Sequence, residues 1–162
     1  MPAINRTSGG ARATRAACGL LTLVAVGFGV TAQAGLGDSA DSIARDHTAL
    51  QAQTETHMAM AAYDRHEITT ASGTRVREYV SKAGKVFAVS WRGTGLPDLA
   101  QLLGAYATQL AQAQPRTHYN HHHLRIETPE VVMQSDAYLR NRSGRAWVPA
   151  LFPQNLSPKD IG

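Results

Sequence analysis

The stretch from Glu67 to Trp91 constrains the fold more than any other part of the chain. It reads EITTASGTRVREYVSKAGKVFAVSW, and two short segments that end in Gly73 and Gly84 divide it into three runs rich in β-branched and aromatic residues. Runs of this composition, bounded by glycine-containing turns, are typical of β-strands joined in hairpins. The stretch therefore predicts an antiparallel meander of three strands.

The first turn predicts one particular register between its two strands. If Ala71–Gly73 forms a three-residue loop with Gly73 in the left-handed conformation, residues of opposite charge face each other across the strands. The predicted pairs are Ile68 with Val76, Glu67 with Arg77 and His66 with Glu78. A two-residue loop would instead place Glu67 opposite Glu78, which is destabilising because the charges are alike. We therefore adopt the three-residue loop.

The second turn, Lys82–Gly84, closes the other hairpin by the same reasoning. The predicted pairs are Val80 with Val86 and Tyr79 with Phe87. Strict alternation then divides the third strand into one face with Phe87, Val89 and Trp91 and another with Val86, Ala88 and Ser90. Both faces of this strand are apolar enough for burial.

An amphipathic helix is predicted from Pro97 to about Gln112. Pro97 suits the first helical position, Asp98 complements the positive N-terminal end of the helix dipole, and Pro115 ends the pattern. One apolar stripe follows the helical period through Leu99, Leu102, Leu103, Tyr106 and Leu110. Burying each of these side chains contributes roughly 1.5–3 kcal/mol. We expect this helix to be the main cover of the sheet.

The elements before the meander are shorter. Small polar residues lead into a surface helix that we predict from Ile43 to about Ala52. Thr54–Ala62 alternates as a strand would, although alanine and methionine also favour helix. We favour the strand, with Met58 and Met60 as core filler rather than soft-metal ligands.

The C-terminal third predicts a second hairpin. The expected strands are Leu124–Glu127, Val131–Leu139 and Arg145–Leu151, with a turn at Asn141–Gly144. Pro149 should either confine the last strand to an edge or end it. The fold class is therefore α+β: an antiparallel meander sheet with one main amphipathic helix packed on a face, a C-terminal hairpin and a short N-terminal helix.

The first 34 residues predict export. Three arginines precede the apolar run Cys18–Val30, which is followed by the small-residue site Ala32–Ala34. These are the three regions of a secretory signal peptide, and a 13-residue run is shorter than the ~20 residues of a membrane span. We expect residues 1–34 to be cleaved, residues 35–162 to form a single domain, and the protein to be periplasmic or secreted.

Removal of this segment takes away most of the net positive charge of the chain. The net charge falls from +4 to +1, because Arg6, Arg12 and Arg15 leave and no acidic residue does. Nucleic-acid binding rests on clustered lysine and arginine, so the sequence predicts no nucleic-acid partner, and no membrane span after cleavage. The mature chain also lacks cysteine, which excludes disulfides, a thiol nucleophile and cysteine-ligated zinc.

A family resemblance covers most of the mature chain. The run H-E-I-T … G-T-x-V-R-E-Y-V-S-x-A-G-K-V-F-A-V-S-W-x-G, continued by L-P-D-L-x-Q-L-L-G-x-Y, resembles a family of small exported proteobacterial proteins known as domain of unknown function 2844. The likeness extends over His66–Tyr106 and returns near Ser143–Ala146, Pro149–Leu151 and Pro153. It implies an exported single-domain protein and implies no activity, substrate or cofactor.

Four histidines lie close together after the main helix: His118, His121, His122 and His123. Neutral imidazole is a common metal ligand, so this loop is a candidate site for Zn, Ni or Cu. The alternative is a solvated polar loop, because a closed site also needs further ligands held by neighbouring hydrogen bonds. The loop is not part of the family pattern described above.

Few residues suggest catalysis. The chain has no G-x-S-x-G, H-E-x-x-H, G-x-G-x-x-G or Walker motif. His66 and Glu78 are an acid–base candidate if the predicted register holds, but a cross-strand ion pair explains them more simply. The arginines Arg140, Arg142 and Arg145 near the last turn are candidates for an anion site, with a solvated hairpin tip as the alternative.

Three classes of function follow from these observations. The favoured class is a non-enzymatic exported module that binds an unidentified protein or a component of the cell envelope, for which unpaired sheet edges offer a route. The second is a periplasmic metal-binding protein that uses the loop His118–His123. The third, least favoured, is a hydrolase-like enzyme that uses His66 and Glu78.

Overall fold

A computed structural model describes residues 35–113 and 122–162. Three short α-helices and seven strands form the described part: α1 (Ile43–Ala49), β1 (Ala52–Ala59), β2 (Tyr63–Thr70), β3 (Arg75–Ser81), β4 (Val86–Gly93), α2 (Leu99–Leu103), α3 (Tyr106–Gln112), β5 (His123–Glu127), β6 (Val132–Tyr138) and β7 (Asn141–Trp147). All strands join one antiparallel sheet in the order β1-β2-β3-β4-β7-β6-β5. The predicted α+β class is confirmed. The predicted signal peptide lies outside the described residues.

The first predicted hairpin is confirmed in its register. Glu67 pairs with Arg77, His66 with Glu78 and Ile68 with Val76. Gly73 has φ +76°, as the three-residue loop requires, and its N–H donates to the carbonyl of Thr70 at 2.9 Å. Local turn chemistry and cross-strand charge were sufficient to predict this register.

The second hairpin contains a β-bulge that the predicted register lacks. The observed pairs are Val80 with Val86 and Tyr79 with Ala88. Phe87 is therefore the extra residue of β4, and the predicted pairing of Tyr79 with Phe87 is wrong. The carbonyl of Phe87 instead accepts a hydrogen bond from the N–H of Val148 at 3.0 Å.

The bulge changes which residues share a face. One extra residue reverses the alternation beyond it. Val86, Val89 and Trp91 consequently lie together in the larger core, whereas Phe87 packs against Tyr79 on the other side of the sheet. The predicted grouping of Phe87 with Val89 and Trp91 is therefore wrong.

The three helices cover one side of the sheet, which we term the helix face and define by Ile68, Val76, Val89, Trp91 and Ala146. Apolar side chains of all three helices join the core on this face, among them Ile43, Leu102 and Leu110. The opposite face is defined by Tyr79, Phe87, Ala88, Val132 and Trp147, and residues 151–161 cover part of it.

The predicted main helix is divided into α2 and α3 at Gly104. Gly104 has φ +53°, a conformation that ends a helix and favours glycine. The carbonyl of Leu102, which α2 leaves free, accepts a hydrogen bond from the N–H of Leu36 at 3.1 Å. The apolar stripe still faces the sheet, with Leu102, Leu103 and Leu110 buried. Asp98, rather than Pro97, marks the start of α2, and its carboxylate caps it.

Strand β1 confirms the strand interpretation for Thr54–Ala59 and forms one edge of the sheet. Met58 is 41% exposed on it, so the prediction that Met58 fills the core is wrong. Its sulfur instead lies 3.4 Å from a guanidinium nitrogen of Arg65 on β2. An edge strand has a neighbour on one side only, which explains the exposure.

The C-terminal third forms three strands, and its last turn lies earlier than predicted. Tyr138 pairs with Asn141, so the turn is Leu139–Arg140, with φ +51° at Leu139. The predicted turn at Asn141–Gly144 is wrong, because these residues belong to β7 and pair with β6, and Arg142–Gly144 pair with β4 as well. Among the described residues, no helix combines the length and the apolar character needed to cross a membrane.

Candidate functional site

An open groove crosses the part of the opposite face that residues 151–161 leave uncovered. It encloses about 300 Å³. Strand register places polar side chains in two adjacent rows across the sheet. The first row is Glu67, Arg77, Ser90, Arg145 and Gln134, and the second is Thr69, Arg75, Arg92, Ser143 and Asp136. We name this feature the arginine groove, after Arg75, Arg77, Arg92 and Arg145.

Glu67 holds two of these arginines. Its carboxylate lies 3.1 Å from Nε of Arg75 and accepts a hydrogen bond from Nε of Arg77 at 2.6 Å. This hydrogen bond raises the pKa of Arg77. The same guanidinium donates to the carbonyl of Gly162 at 2.6 Å. The Glu67 carboxylate thus contacts two cations on this side of the groove.

Arg145 is held by neutral partners. Its Nε donates to the side-chain oxygen of Gln134 at 2.9 Å, and a terminal nitrogen donates to the carbonyls of Pro158 and Ile161 at 2.6 and 3.0 Å. These bonds orient the guanidinium and leave its charge without a carboxylate. They also fasten residues 158–161 beside the groove, next to the aromatic cluster of Phe87 and Phe152.

Arg92 is exposed, as is Arg75. It lies directly opposite Arg75 in the β3–β4 register, and within the described residues its guanidinium makes no hydrogen bond or ion pair. Like charges that face each other across two strands destabilise a sheet. Asp136, in the same row, contacts His123. The groove therefore presents more positive than negative charge, in side chains whose planar fork fits carboxylate and phosphate oxygens.

The predicted acid–base pair is in register but does not form an ion pair. Nδ1 of His66 lies 3.7 Å from Glu55, and the His66 ring stacks on His57 with 4.5 Å between ring centroids. Glu78 is 0% exposed, beneath α1. A substrate cannot reach its carboxyl group, which argues against the role of Glu78 as a general acid or base.

The histidine loop is described in part. His118 and His121 lie outside the described residues. His122 makes a 2.9 Å hydrogen bond through Nδ1 with the carbonyl of Ala137, and Nδ1 of His123 contacts the carboxylate of Asp136. Within residues 35–113 and 122–162, no three His, Cys, Asp or Glu side chains are arranged to hold a metal ion. The four-histidine site remains a prediction.

The three arginines predicted to gather near the last turn do not form one site. Arg145 lies in the groove, whereas the register places Arg142 three positions away and so on the helix-face side of β7. Arg140 lies in the exposed turn. Reasoning from the sequence did not identify Arg75, Arg77 and Arg92 as site residues, although arginine alternates along β3. The pairing of β4 with β7, which brings Arg145 close to them, has no signal in the sequence.

A family model described as "Protein of unknown function (DUF2844)" matches residues 32–161, which is most of the chain. The chain belongs to this family. The resemblance seen in the sequence is thereby confirmed. Nothing among the curated proteins matches the chain, and nothing among the solved structures does.

Proposed function

We propose that this DUF2844 protein is an exported, non-enzymatic module, periplasmic or secreted, that binds an acidic component of the cell envelope through the arginine groove. One observation carries the proposal: Arg75 and Arg92 face each other on an uncovered stretch of sheet. This arrangement costs stability in the free protein, and an anion between the two guanidinium groups removes the cost.

The chemistry of the groove is that of recognition. Guanidinium groups keep their proton at all ordinary pH values, so they bind oxyanions and do not transfer protons. A hydrogen bond to a charged group contributes about 1.5–3 kcal/mol. Ser90, Ser143 and Gln134 add neutral donors beside the arginines. Together these groups favour a ligand with at least two carboxylate or phosphate groups.

Calorimetry with citrate and pyrophosphate tests the site, using Arg92→Gln and the matched variant Arg140→Gln. Both variants remove one exposed arginine, but Arg140 lies in the Leu139–Arg140 turn, outside the groove. We expect Arg92→Gln to weaken binding about tenfold, equivalent to ~1.4 kcal/mol, and Arg140→Gln to leave it unchanged. Equal affinities in the wild type and Arg92→Gln would contradict the proposal.

Stability provides a second readout. Without a ligand, Arg92→Gln removes the like-charge pair, so we expect its thermal midpoint to equal or exceed that of the wild type. Added pyrophosphate should raise the wild-type midpoint more than that of the variant.

Mass spectrometry of periplasmic and culture fractions tests export: the expected N-terminus is Gly35, and an intact N-terminus confined to the cytoplasm would contradict it.

A second candidate function is metal binding by His118, His121, His122 and His123. The observation that favours it is that Nδ1 of both described histidines is hydrogen-bonded. This leaves Nε2 for a metal ion, and a hydrogen bond to the other ring nitrogen orients the imidazole in many metal sites. Calorimetry of tag-free protein with Zn, Ni and Cu should show saturable binding. Replacing His121, His122 and His123 together with alanine should abolish it; unchanged affinity would exclude the site.

A further inference from the structure

A buried pair of carboxyl groups joins the helix layer to the sheet. Asp46 on α1 and Glu78 on β3 are both 0% exposed and close enough to share a hydrogen bond. Oδ2 of Asp46 and both carboxyl oxygens of Glu78 have no donor among the described residues. A buried oxygen without a donor is costly, because the water it lost is not replaced.

The surroundings of the pair do not supply a compensating ion pair. Nε2 of Gln101 on α2 donates to Oδ1 of Asp46 at 2.7 Å. Two further ionisable groups, Arg45 and Asp38, act electrostatically on Asp46. Glu55 acts on Glu78, and His66 lies opposite Glu78 in the strand register. Burial lowers the pKa of His66, which favours its neutral form. Arg45 is the cation of this set, and Asp38 and Glu55 oppose it.

Two carboxylates in contact and away from water do not both ionise. Burial raises the pKa of Glu78 well above its ordinary value and also raises the pKa of Asp46. A single proton on Glu78 satisfies the arrangement, because its O–H donates to Asp46 while Asp46 also accepts from Gln101. One chain of hydrogen bonds then links β3, α1 and α2.

We propose that the proton shared by Asp46 and Glu78 is a pH-sensitive clasp that holds α1 against the sheet, and that losing this proton loosens α1. Loss of the proton leaves two negative charges in contact beneath the helix. The least costly relief is movement of α1, because Ile43 is the one apolar side chain that this helix buries. Strand β3, in contrast, has a neighbouring strand on each side within the sheet. The clasp is closed in acid and opens as the pH rises.

The sign of the pH dependence follows from linkage. The folded pair binds its proton more tightly than the unfolded chain does. Its contribution to stability is therefore complete below the ordinary glutamate pKa and is lost as the pH rises through the raised pKa of the folded pair. Between these limits the folding equilibrium constant falls by up to about tenfold per pH unit.

Urea unfolding of the purified protein between pH 4 and 9 tests the clasp with Glu78→Gln and the control Glu130→Gln. The glutamine amide donates to Asp46 as the protonated acid does, but it cannot lose a proton. We expect the wild type and Glu130→Gln, which alters an exposed carboxyl, to lose stability relative to Glu78→Gln as the pH rises. Parallel curves for the wild type and Glu78→Gln would overturn the proposal.

Two measurements on the unmodified protein keep the test decisive if Glu78→Gln does not fold. Carbon-13 NMR of the glutamate carboxyl groups should show one that titrates well above the others, and uniform titration near the ordinary value would overturn the proposal. The hydrogen-exchange protection factors of the α1 amides should fall at a lower pH than those of β3 and β4. Simultaneous loss of protection would contradict local loosening.

Discussion

Gly144→Ala tests how closely β7 packs against Trp91. A Cβ atom at position 144 would lie 2.2 and 2.5 Å from Cζ2 and Cε2 of the indole and 2.8 Å from the backbone oxygen of Gln134. Trp91 is 2% exposed and cannot turn into solvent. Gly144 has no positive φ, so the penalty is steric and not conformational.

The expected cost is at the upper end of the range for overpacked cores, about 3 kcal/mol, because the new atom meets a rigid ring and a backbone oxygen. A domain of this size should then unfold roughly 10 °C lower. Thermal and urea unfolding, followed by tryptophan fluorescence, measure both quantities. Gly84→Ala is the contrasting variant: nothing lies within 4 Å of its added Cβ, but φ is +74°, so about 1 kcal/mol of backbone strain is expected.

A double-mutant cycle identifies the clashing partner. In a Trp91→Leu background the added methyl group of Gly144→Ala has space, so its cost should fall by about 1–2 kcal/mol. An equal cost in both backgrounds would show that the indole is not what excludes the side chain. A cost below about 0.5 kcal/mol in the wild-type background would refute the packing argument altogether.

Three further outcomes are expected. Phe87→Ala should cost about 3–5 kcal/mol, because it empties the aromatic cluster on the opposite face, and near-UV circular dichroism with urea unfolding measures this. Asp98→Ala should cost about 1 kcal/mol by removing the cap that accepts from two N–H groups of α2; full stability in urea would contradict the capping role. His66→Gln should become more stable than the wild type as the pH falls below about 6.5, since burial lowers the pKa of His66 and the unfolded chain takes up the proton first; parallel curves between pH 7 and 5 would exclude this.

The arginine groove and the Asp46–Glu78 pair depend on contacts between residues that are separated in the sequence. Arg75 and Arg92 form a like-charge pair only because the Phe87 bulge shifts β4 by one residue against β3. In the register predicted for this hairpin, which contains no bulge, Arg75 does not face Arg92. Asp46 meets Glu78 only when α1 packs on β3, and the thin apolar stripe of α1 predicted a surface helix without a buried carboxyl. The His66–Glu78 register was predictable, but the burial of Glu78 was not.

The sequence by itself determined the fold class, the family and the first hairpin. Loop length, the left-handed glycine Gly73 and the facing charges of Glu67 and Arg77 act over a few residues, so short-range rules were sufficient. The helical stripe was equally local, but the sequence predicted one continuous helix, and the break at Gly104 appears only in the structure.

Only the tertiary structure decided which face Phe87 occupies, why position 144 is glycine, and where charge gathers. The bulge is held by an N–H of Val148, the missing side chain of Gly144 makes room for Trp91, and the groove exists because β7 pairs with β4. Each of these contacts joins residues distant in the chain, and their free energy depends on shape and burial that no local pattern encodes.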